Sequence, residues 1–267
     1  MADPSPVWRD VERIRAQSPL VHNITNYVVM NLTANALLAL GASPVMAHAP
    51  EEVDEMAGLS AALVLNIGTL SATWVTAMLR AGNAARRRGV PIVLDPVGAG
   101  ATRFRTETAR RLVRDLRPAV VRGNASEIRA LATAEAGTKG VDSRHTPEAA
   151  LDAARRLSAE FGSAVSVSGP IDLIVQGGAV IRTANGHPLM PRVTGLGCVA
   201  SALTGAFAAV NPTPLLAAAH AMAVCGIAGE IAGAGAAGPA SFEIRFLDAL
   251  YNLSEADIAS RLRMEPA

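Results

Sequence analysis

Residues 92–100 read Ile92-Val93-Leu94-Asp95-Pro96-Val97-Gly98-Ala99-Gly100, a short apolar run that ends in a carboxylate and a loop with two glycines. A run that is apolar on both faces is typical of a strand in a parallel sheet that helices cover on either side. Longer alanine-rich segments separate such runs and have the lengths of helical crossovers. The sequence therefore predicts an α/β fold of three layers, with a mostly parallel, doubly wound central sheet and helices on both faces. The other predicted strands are Val45-Met46-Ala47, Leu63-Val64-Leu65-Asn66-Ile67, Ala119-Val120-Val121-Arg122 and Val165-Ser166-Val167-Ser168.

The pattern changes in the second half of the chain. Leu173-Ile174-Val175 and Val180-Ile181 flank Gly177-Gly178, which predicts a hairpin and an antiparallel edge of the sheet. From Gly197 onward the sequence predicts almost only helix. Neither an internal repeat nor a linker rich in Gly, Ser or Pro divides the chain, so we expect a single domain over residues 1–267.

Composition restricts the partners of the protein. Half of the 267 residues are hydrophobic, which is enough for a large core, and the formal net charge is only +1. Basic residues are spread along the sequence, and their densest cluster, Arg86-Arg87-Arg88, ends a predicted helix, where cations suit the helix dipole. These features argue against a nucleic-acid partner.

Three features favour a cytoplasmic protein without a membrane partner. The two cysteines, Cys198 and Cys225, lack a CxxC spacing, and they give no basis for a disulfide. Residues 1–6 show neither the basic segment nor the apolar core of a secretory signal. The apolar residues 215–237 include His220 and Glu230, which favours a buried core helix over a membrane span.

A second glycine-containing loop reads Val193-Thr194-Gly195-Leu196-Gly197-Cys198-Val199-Ala200-Ser201 and leads into an apolar helix. The free N–H groups in the first turn of such a helix face the loop and can bind an anion. Cys198, directly after the second glycine, would then lie where a reacting group arrives. A tight turn before a buried helix gives the same pattern and stays open as an alternative.

Carboxylates follow two of the predicted strands. Asp95 precedes a loop whose glycines would let the backbone approach a ligand, and it could bind a metal or a phosphate-bound water. In Arg122-Gly123-Asn124-Ala125-Ser126-Glu127, Asn124 stands at a helix N-cap and Glu127 three residues later, which is also the spacing of a capping box. Mg²⁺ commonly takes one or two carboxylates together with substrate phosphates, and Asp95 and Glu127 could supply them.

Two further strand ends carry phosphate-binding side chains. Arg122 could face a triphosphate, although a surface arginine on an edge strand is the alternative. Ser168 precedes Gly169 and could donate to a phosphate, although an ordinary turn would look the same. Because the carboxyl ends of parallel strands meet at one edge of the sheet, the combination of these groups predicts a phosphate-binding site there.

Other common sites are absent from the sequence. Lys139 is the only lysine and no GxxxxGK[ST] precedes a helix, which excludes a Walker-type nucleotide site. We find neither an early strand leading into GxGxxG, nor a GxSxG elbow, nor an HExxH pair. The five histidines, His22, His48, His145, His187 and His220, show no metal-ligand spacing.

Several blocks of this chain resemble the hydroxyethylthiazole kinases, a family of the ribokinase-like superfamily. The most specific block is Val21-His22-Asn23-Ile24-Thr25-Asn26-Tyr27-Val28-Val29-Met30-Asn31, followed by Ala39-Leu40-Gly41-Ala42-Ser43-Pro44-Val45-Met46-Ala47. The loop after Leu94, the segment 122–127 and Thr194-Gly195-Leu196-Gly197-Cys198 also fit the family. The resemblance covers most of the chain and implies a ribokinase-like fold.

The resemblance implies transfer of the ATP γ-phosphoryl group to the hydroxyl of 4-methyl-5-(2-hydroxyethyl)thiazole, with Mg²⁺ as cofactor. It also implies a homotrimer with active sites between subunits. By motif, Asp95 and Glu127 would hold Mg²⁺, directly or through water, and act in catalysis with Cys198. The substrate-binding residues would be Met46, Gly195 and Asn23, and the ATP-binding residues Arg122, Ser168, Asn124, Thr194 and Gly197. Ser168 departs from the threonine that is common in the family, but it keeps the hydroxyl.

Cys198 stands where most ribokinase-like kinases have an aspartate that acts as the catalytic base. At a helix N-terminus the pKa of a thiol is expected to fall, so a thiolate could take the alcohol proton. Phosphoryl transfer through a loose transition state depends mainly on positioning and charge stabilisation, and little proton has left the alcohol when the bond to phosphorus forms. Our hypothesis is that Cys198 shapes the pocket and assists weakly.

Three alternatives share the predicted fold. A kinase for a hydroxymethylpyrimidine or a pyridoxal-like alcohol would share the phosphate loop, but the block from Val21 to Met46 argues against it. An ADP- or ATP-dependent dehydratase of hydrated nicotinamide cofactors would be expected to keep aspartate at position 198. A nucleotide-binding protein without catalysis would have no need for the set Asp95, Asn124, Glu127, Gly195 and Gly197.

Overall fold

The computed structural model describes residues 3–132 and 147–267. Lys139 and His145 lie outside the described residues. The described strands are Leu20–Ile24 (β1), Ser43–Val45 (β2), Ala62–Asn66 (β3), Ile92–Asp95 (β4), Val120–Asn124 (β5), Ala164–Ser168 (β6), Asp172–Gln176 (β7), Ala179–Thr183 (β8) and Met264–Pro266 (β9). The described helices are Ser5–Gln17 (α1), Met30–Leu40 (α2), Val53–Leu59 (α3), Ala72–Arg87 (α4), Arg103–Leu116 (α5), Ala125–Ala132 (α6), Pro147–Phe161 (α7), Leu196–Val210 (α8), Pro214–Gly233 (α9), Pro239–Asn252 (α10) and Glu255–Arg261 (α11).

The strands form one sheet in the order β2-β1-β3-β4-β5-β6-β7-β8-β9. The six strands β1 to β6 pair in parallel with one another in this order. Strands β6 to β9 pair in antiparallel fashion, and Gly177 turns between β7 and β8 with a φ of +58°. The predicted fold class, with its mostly parallel sheet and antiparallel edge, is confirmed.

Hydrophobic side chains pack on both faces of the sheet. Val64 points into a core with α1, α2, α8, α9, α10 and α11, whereas its neighbours Leu63 and Leu65 point into a core with α3 to α7. Alternate residues of one strand therefore face different helical layers, as the apolar runs predict.

Three strand predictions need correction. The predicted strand at residues 45–47 lies at Ser43–Val45, on the sheet edge, where Pro44 is tolerated because its missing N–H faces away from the ladder. Strand β1 was not predicted, because its sequence Leu20-Val21-His22-Asn23-Ile24 places two polar side chains in the core. Strand β9 was not predicted either, since it is a three-residue edge strand.

The long apolar segment near the C-terminus forms helix α9. By length and composition, Pro214–Gly233 could cross a membrane, but 78% of its apolar window is buried inside the molecule. It packs against α8, α10 and the strands β5 to β8. Among the described residues, the predicted core helix is confirmed.

Candidate active site

The polar site begins with Asp95, the last residue of the central strand β4. Its side chain is 2% exposed, and its Oδ2 accepts hydrogen bonds from Nδ2 of Asn66 and Oγ of Ser201, both at 2.8 Å. The pKa of Asp95 is raised to about 7: burial is the largest cause and the charge of Glu127 adds to it, while Arg122 and the two hydrogen bonds oppose the rise. Asp95 is therefore a buried carboxyl whose ionisation depends on the cation beside it.

Cys198 lies in the first turn of helix α8, which begins directly after Gly195. Gly195 has a φ of +90°, a conformation that favours glycine, so the predicted loop-to-helix turn is present. Burial raises the pKa of the Cys198 thiol to about 11, and Asp95 contributes to the rise. The expected lowering of this pKa is wrong, because loss of solvent and a nearby carboxylate raise it more than the surrounding hydrogen bonds and the charge of Arg122 lower it. The thiol is neutral at physiological pH.

Arg122 links strand β5 to the glycine loop. Its side chain is buried, and its Nη1 donates a 2.9 Å hydrogen bond to the carbonyl of Gly197. An added Cβ at Gly197 would come within 3.0 Å of that nitrogen. Strand β5 pairs with β4 and β6, so the alternative of a surface arginine on an edge strand is wrong. The guanidinium lies at the N-terminus of α8 and beside Asp95.

Glu127 forms the capping box that its spacing allows. Its Oε2 accepts from the backbone N–H of Asn124 at 2.8 Å, and Oδ1 of Asn124 accepts from the N–H of Glu127 at 3.0 Å. Its Oε1 accepts from the N–H of Gly98 at 2.8 Å. The capping reading and a ligand-binding reading are compatible, since each carboxylate oxygen keeps a lone pair. Glu127 thus joins the end of β5 to the loop after β4.

Two carboxylates at this edge could bind Mg²⁺. The charge of Glu127 raises the pKa of Asp95, so the two side chains lie near each other, and both described hydrogen bonds to Asp95 fall on Oδ2. Mg²⁺ sites commonly use one or two carboxylates and take their other ligands from water and phosphate. The described residues contain no cluster of three or more His, Cys, Asp or Glu side chains that could hold a metal ion.

A cavity of about 680 Å³ opens beside Arg122. One end is polar and is lined by Arg122, Asn124, Ser168, Asp172 and Gly197. The other end lies between α8, α9 and the loop 184–191, and it is lined mainly by apolar residues: Pro188, Met190, Pro191, Leu196, Ala200, Met222 and Cys225. An anion-binding end next to an apolar slot is the shape that a nucleotide requires.

The remaining predicted nucleotide residues lie at or near this cavity. Ser168 lines it, and its Oγ donates to the carbonyl of Gly123 at 3.3 Å. Asn124 pairs with Ser168 across β5 and β6. Thr194 is exposed before the glycine loop and is not among the described lining residues.

Two of the predicted substrate residues, Asn23 and Met46, lie on the other side of Asp95 from the cavity. Asn23 is buried in β1, where its Nδ2 donates to the carbonyl of Val21 at 2.9 Å. Its Oδ1 has no hydrogen-bond partner among the described residues. Met46 is half-buried just beyond β2, and strands β3 and β4 separate β1 from β5. The third, Gly195, packs against Val29 and directly precedes Leu196, which lines the cavity.

Sequence reasoning missed several polar residues of the site. Asn66 ends β3 and accepts at Oδ1 from Nδ2 of Asn26 at 2.9 Å, while that same Asn26 amide lies 3.5 Å from Sγ of Cys198. Arg105 donates to the carbonyls of Ile67, Val97 and Gly68 at 2.8–2.9 Å and holds two strand-end loops together. Asn66 could have been found, because it is the one polar residue of the predicted strand 63–67, next to its end. Arg105 lies in helix α5, away from any predicted strand end, so no pattern in the sequence points to it.

Comparison with known proteins identifies the family of the chain. A model of the hydroxyethylthiazole kinase family matches residues 11–256. The chain belongs to this family. It is 60% identical to a hydroxyethylthiazole kinase of Syntrophus aciditrophicus (strain SB), over 98% of this chain and 97% of that protein. It is 56% identical to a hydroxyethylthiazole kinase of Nitratidesulfovibrio vulgaris (strain DSM 19637 / Miyazaki F), over 97% of each.

Solved structures agree with that family assignment. The hydroxyethylthiazole kinase protein from Pyrococcus horikoshii OT3 has a TM-score of 0.92 and 44% identity, covering 98% of this chain and 99% of that one. A ribokinase-like superfamily protein from Enterococcus faecalis V583 has a TM-score of 0.66 at 14% identity, over 89% of this chain and 87% of that one, and so shares the fold alone. The predicted ribokinase-like fold and family are confirmed, as is the enzyme class, a kinase with an alcohol acceptor.

Proposed function

We propose that this protein transfers the γ-phosphoryl group of ATP to the hydroxyl of 4-methyl-5-(2-hydroxyethyl)thiazole, giving its phosphate for thiamine synthesis. The observation that carries this proposal is the contact between Arg122 and Gly197, which joins the nucleotide-sized cavity to the N-terminus of helix α8. Asp95 and Cys198 lie next to this contact. The transferred group would pass between the cavity and the substrate residues at that point.

ATP would lie along the cavity, with its base in the apolar slot and its phosphates at the polar end. Arg122, Ser168 and Asn124 would contact the phosphates from strands β5 and β6. The N–H groups after Gly195 and at Gly197 would add the positive end of the helix dipole, with Thr194 at the entrance of the loop. The Arg122 guanidinium and the N-terminus of α8 would together stabilise the negative charge on the phosphoryl group during its transfer.

The thiazole alcohol would bind between Met46, Gly195 and Asn23. The unpaired Oδ1 of Asn23 supports this placement, because a buried acceptor without a partner costs free energy unless a ligand satisfies it. The hydroxyl group would then lie near Cys198 and Asp95, where Asn26 and Asn66 fix the surrounding side chains.

Asp95 and Glu127 are the residues that would hold Mg²⁺, directly or through water. The ion, when bound, would neutralise charge on the phosphates. Arg122 favours the ionised form of Asp95 by opposing the rise that burial causes in its pKa. Cys198 is a neutral thiol and would shape the pocket around the hydroxyl. Positioning, rather than a strong base, therefore carries most of the reaction.

The assembly we propose is a homotrimer with active sites between subunits, in the cytoplasm. Two apolar side chains beside the substrate residues support an interface there: Tyr27 is 61% exposed and Val28 is 70% exposed. Exposed apolar groups beside a binding site are typical of surfaces that a partner covers. Sedimentation equilibrium would give three times the 27.5 kDa chain mass for a trimer, and a monomer would contradict the assembly.

Direct product analysis tests the reaction. The purified protein, ATP and Mg²⁺ should convert hydroxyethylthiazole into a product that is heavier by one phosphoryl group, with one ADP formed for each product. Omission of Mg²⁺ should stop the conversion. ADP formation without a phosphorylated thiazole would contradict the proposed reaction.

A further inference from the structure

One wall of the cavity is a loop that lies directly on helix α9. This wall loop comprises residues 184–191. At Gly226 an added Cβ would come within 2.5 Å of the Asn185 carbonyl oxygen, and at Gly229 within 2.6 Å of Sδ of Met190. The two glycines are three residues apart, so they lie on the same face of the helix. The position of the loop is therefore set by its contact with α9.

Glu230 fixes the wall loop from that helix. Its Oε1 accepts hydrogen bonds from Nδ2 of Asn185 at 2.9 Å, from the N–H of Gly186 at 3.0 Å and from Nη2 of Arg263 at 2.6 Å. The Glu230 side chain is 13% exposed. A single carboxylate oxygen thus holds three donors from two separate chain segments, in a region where charge-assisted hydrogen bonds are strong.

The chain after helix α11 completes the attachment. The N–H of Arg263 donates to Oδ1 of Asn185 at 2.9 Å, and Nδ2 of Asn185 donates to the carbonyl of Arg261 at 2.8 Å. The N–H of Ala184 donates to the carbonyl of Arg263 at 2.9 Å. These contacts come from residues beyond position 256, where the match to the family model ends. The buried amide of Asn185 is thereby oriented by described partners at both of its ends.

We propose that Glu230 is a positioning residue for the nucleotide: it holds the wall loop in place through Asn185, Gly186 and Arg263. This inference rests on the proposed function, because it assumes that ATP occupies the cavity. The wall loop lines the cavity, whereas Met46 and Asn23 lie beyond Asp95 on the other side of the site. Loss of Glu230 therefore weakens nucleotide binding and leaves binding of the alcohol intact.

Three variants test this role. Glu230→Ala removes the acceptor of all three donors. Glu230→Gln removes the charge but keeps a carbonyl oxygen at Oε1. Asp248→Ala, an exposed carboxylate on α10, is the matched control. For each variant we would measure the KM for ATP, the KM for hydroxyethylthiazole, kcat, the melting temperature, and the Kd of ADP by calorimetry in the absence of the alcohol.

The expected result is specific to the nucleotide. Glu230→Ala should raise the KM for ATP and the Kd of ADP roughly tenfold or more, equivalent to at least about 1.4 kcal/mol, with the KM for the alcohol within about twofold of wild type. Glu230→Gln should recover most of the affinity, because its carbonyl oxygen still accepts from Asn185 and Gly186. Asp248→Ala should match wild type throughout.

Two outcomes would overturn the inference. One is a Kd of ADP for Glu230→Ala that stays within twofold of wild type. The other is an equal rise in both KM values with no recovery in Glu230→Gln, which would indicate a general loss of structure.

Failure of the proposed function would be seen in the wild-type protein itself. If wild type binds ADP but does not phosphorylate the thiazole, the ADP comparison still decides the role of Glu230. If wild type binds no ADP, both proposals are wrong.

Discussion

Nδ2 of Asn26 lies 3.5 Å from Sγ of Cys198 and joins the segment after strand β1 to the first turn of helix α8. The same Asn26 amide donates to Asn66, which in turn donates to Asp95. The Cys198 thiol and the buried Asp95 carboxylate therefore belong to one hydrogen-bonded network, and the hydroxyl group of the thiazole substrate would bind beside it. Because the pKa of Cys198 is raised to about 11, the thiol enters this network as a neutral group.

Replacement of Cys198 should have a modest effect. Cys198→Ala and Cys198→Ser should each lower kcat by less than about tenfold, because a neutral thiol contributes packing more than proton transfer. Steady-state kinetics at saturating ATP and Mg²⁺ measures this. A loss beyond roughly a hundredfold, the range of a true general base, would instead identify Cys198 as the base.

Replacement of Asp95 should cost far more. Asp95→Asn keeps the shape of the side chain but removes the charge that would face Mg²⁺, so we expect kcat to fall by roughly a hundredfold to a thousandfold, the loss typical of a missing electrostatic group. Asp248→Asn is the control, since its carboxylate is exposed and remote in sequence from the strand ends. Near-normal activity in Asp95→Asn would contradict the metal-site assignment.

Asp172 should make the stability of the protein depend on pH. This residue accepts from the N–H of Gly169 at 3.0 Å, and burial raises its pKa from an ordinary 3.8 to about 6. A group whose pKa is raised on folding stabilises the folded state below its unfolded pKa, and this contribution is lost as the pH rises through the folded value. The charged carboxylate is thus unfavourable at neutral pH.

Asp172→Asn should remove that dependence while it keeps the oxygen that accepts from Gly169. Its free energy of unfolding relative to wild type should grow by about 1 kcal/mol between pH 5 and pH 8. Urea unfolding at the two pH values measures the difference. The same difference at both pH values would show that the carboxyl of Asp172 does not titrate in this range.

Gly226→Ala should reverse the usual effect of alanine in a helix. Alanine normally stabilises a helix interior by about 1 kcal/mol relative to glycine. Here the added Cβ would meet the carbonyl of Asn185 at 2.5 Å, so we expect a loss of about 1–3 kcal/mol and a higher KM for ATP. Gly238→Ala is the control, because no atom lies within 4 Å of its Cβ position. A stabilised Gly226→Ala would mean that the wall loop moves freely.

The central strands could be predicted from the sequence because burial on both faces leaves a continuous apolar run. Ile92–Asp95 lies where its pattern places it. Strand β1 was not predicted because it buries His22, whose Nε2 donates to the carbonyl of Ala47 at 2.7 Å. This contact joins distant segments, and no local pattern reveals it. Burial lowers the pKa of His22, which keeps the ring neutral in the core.

The candidate site was predictable where a side chain ends a parallel strand. Asp95 follows that rule as the last residue of β4, whereas β5 extends two residues beyond its predicted end at Arg122, to Asn124. Ser201 does not follow the rule, because it reaches Asp95 from the second turn of α8. The direction of the pKa shift of Cys198 could not be predicted either. It depends on how deeply the start of α8 is buried and on which carboxylate lies beside the thiol.

Substrate selectivity distinguishes a thiazole kinase from the other enzymes of this fold. We would measure kcat/KM with ATP and Mg²⁺ for hydroxyethylthiazole, hydroxymethylpyrimidine and pyridoxal, and assay dehydration of hydrated NADH in parallel. We expect phosphorylation of the thiazole alcohol with a kcat/KM well above that of either other alcohol, and no dehydration. A preference for another alcohol, or dehydration of hydrated NADH, would contradict the assignment of Met46, Gly195 and Asn23 as the thiazole pocket.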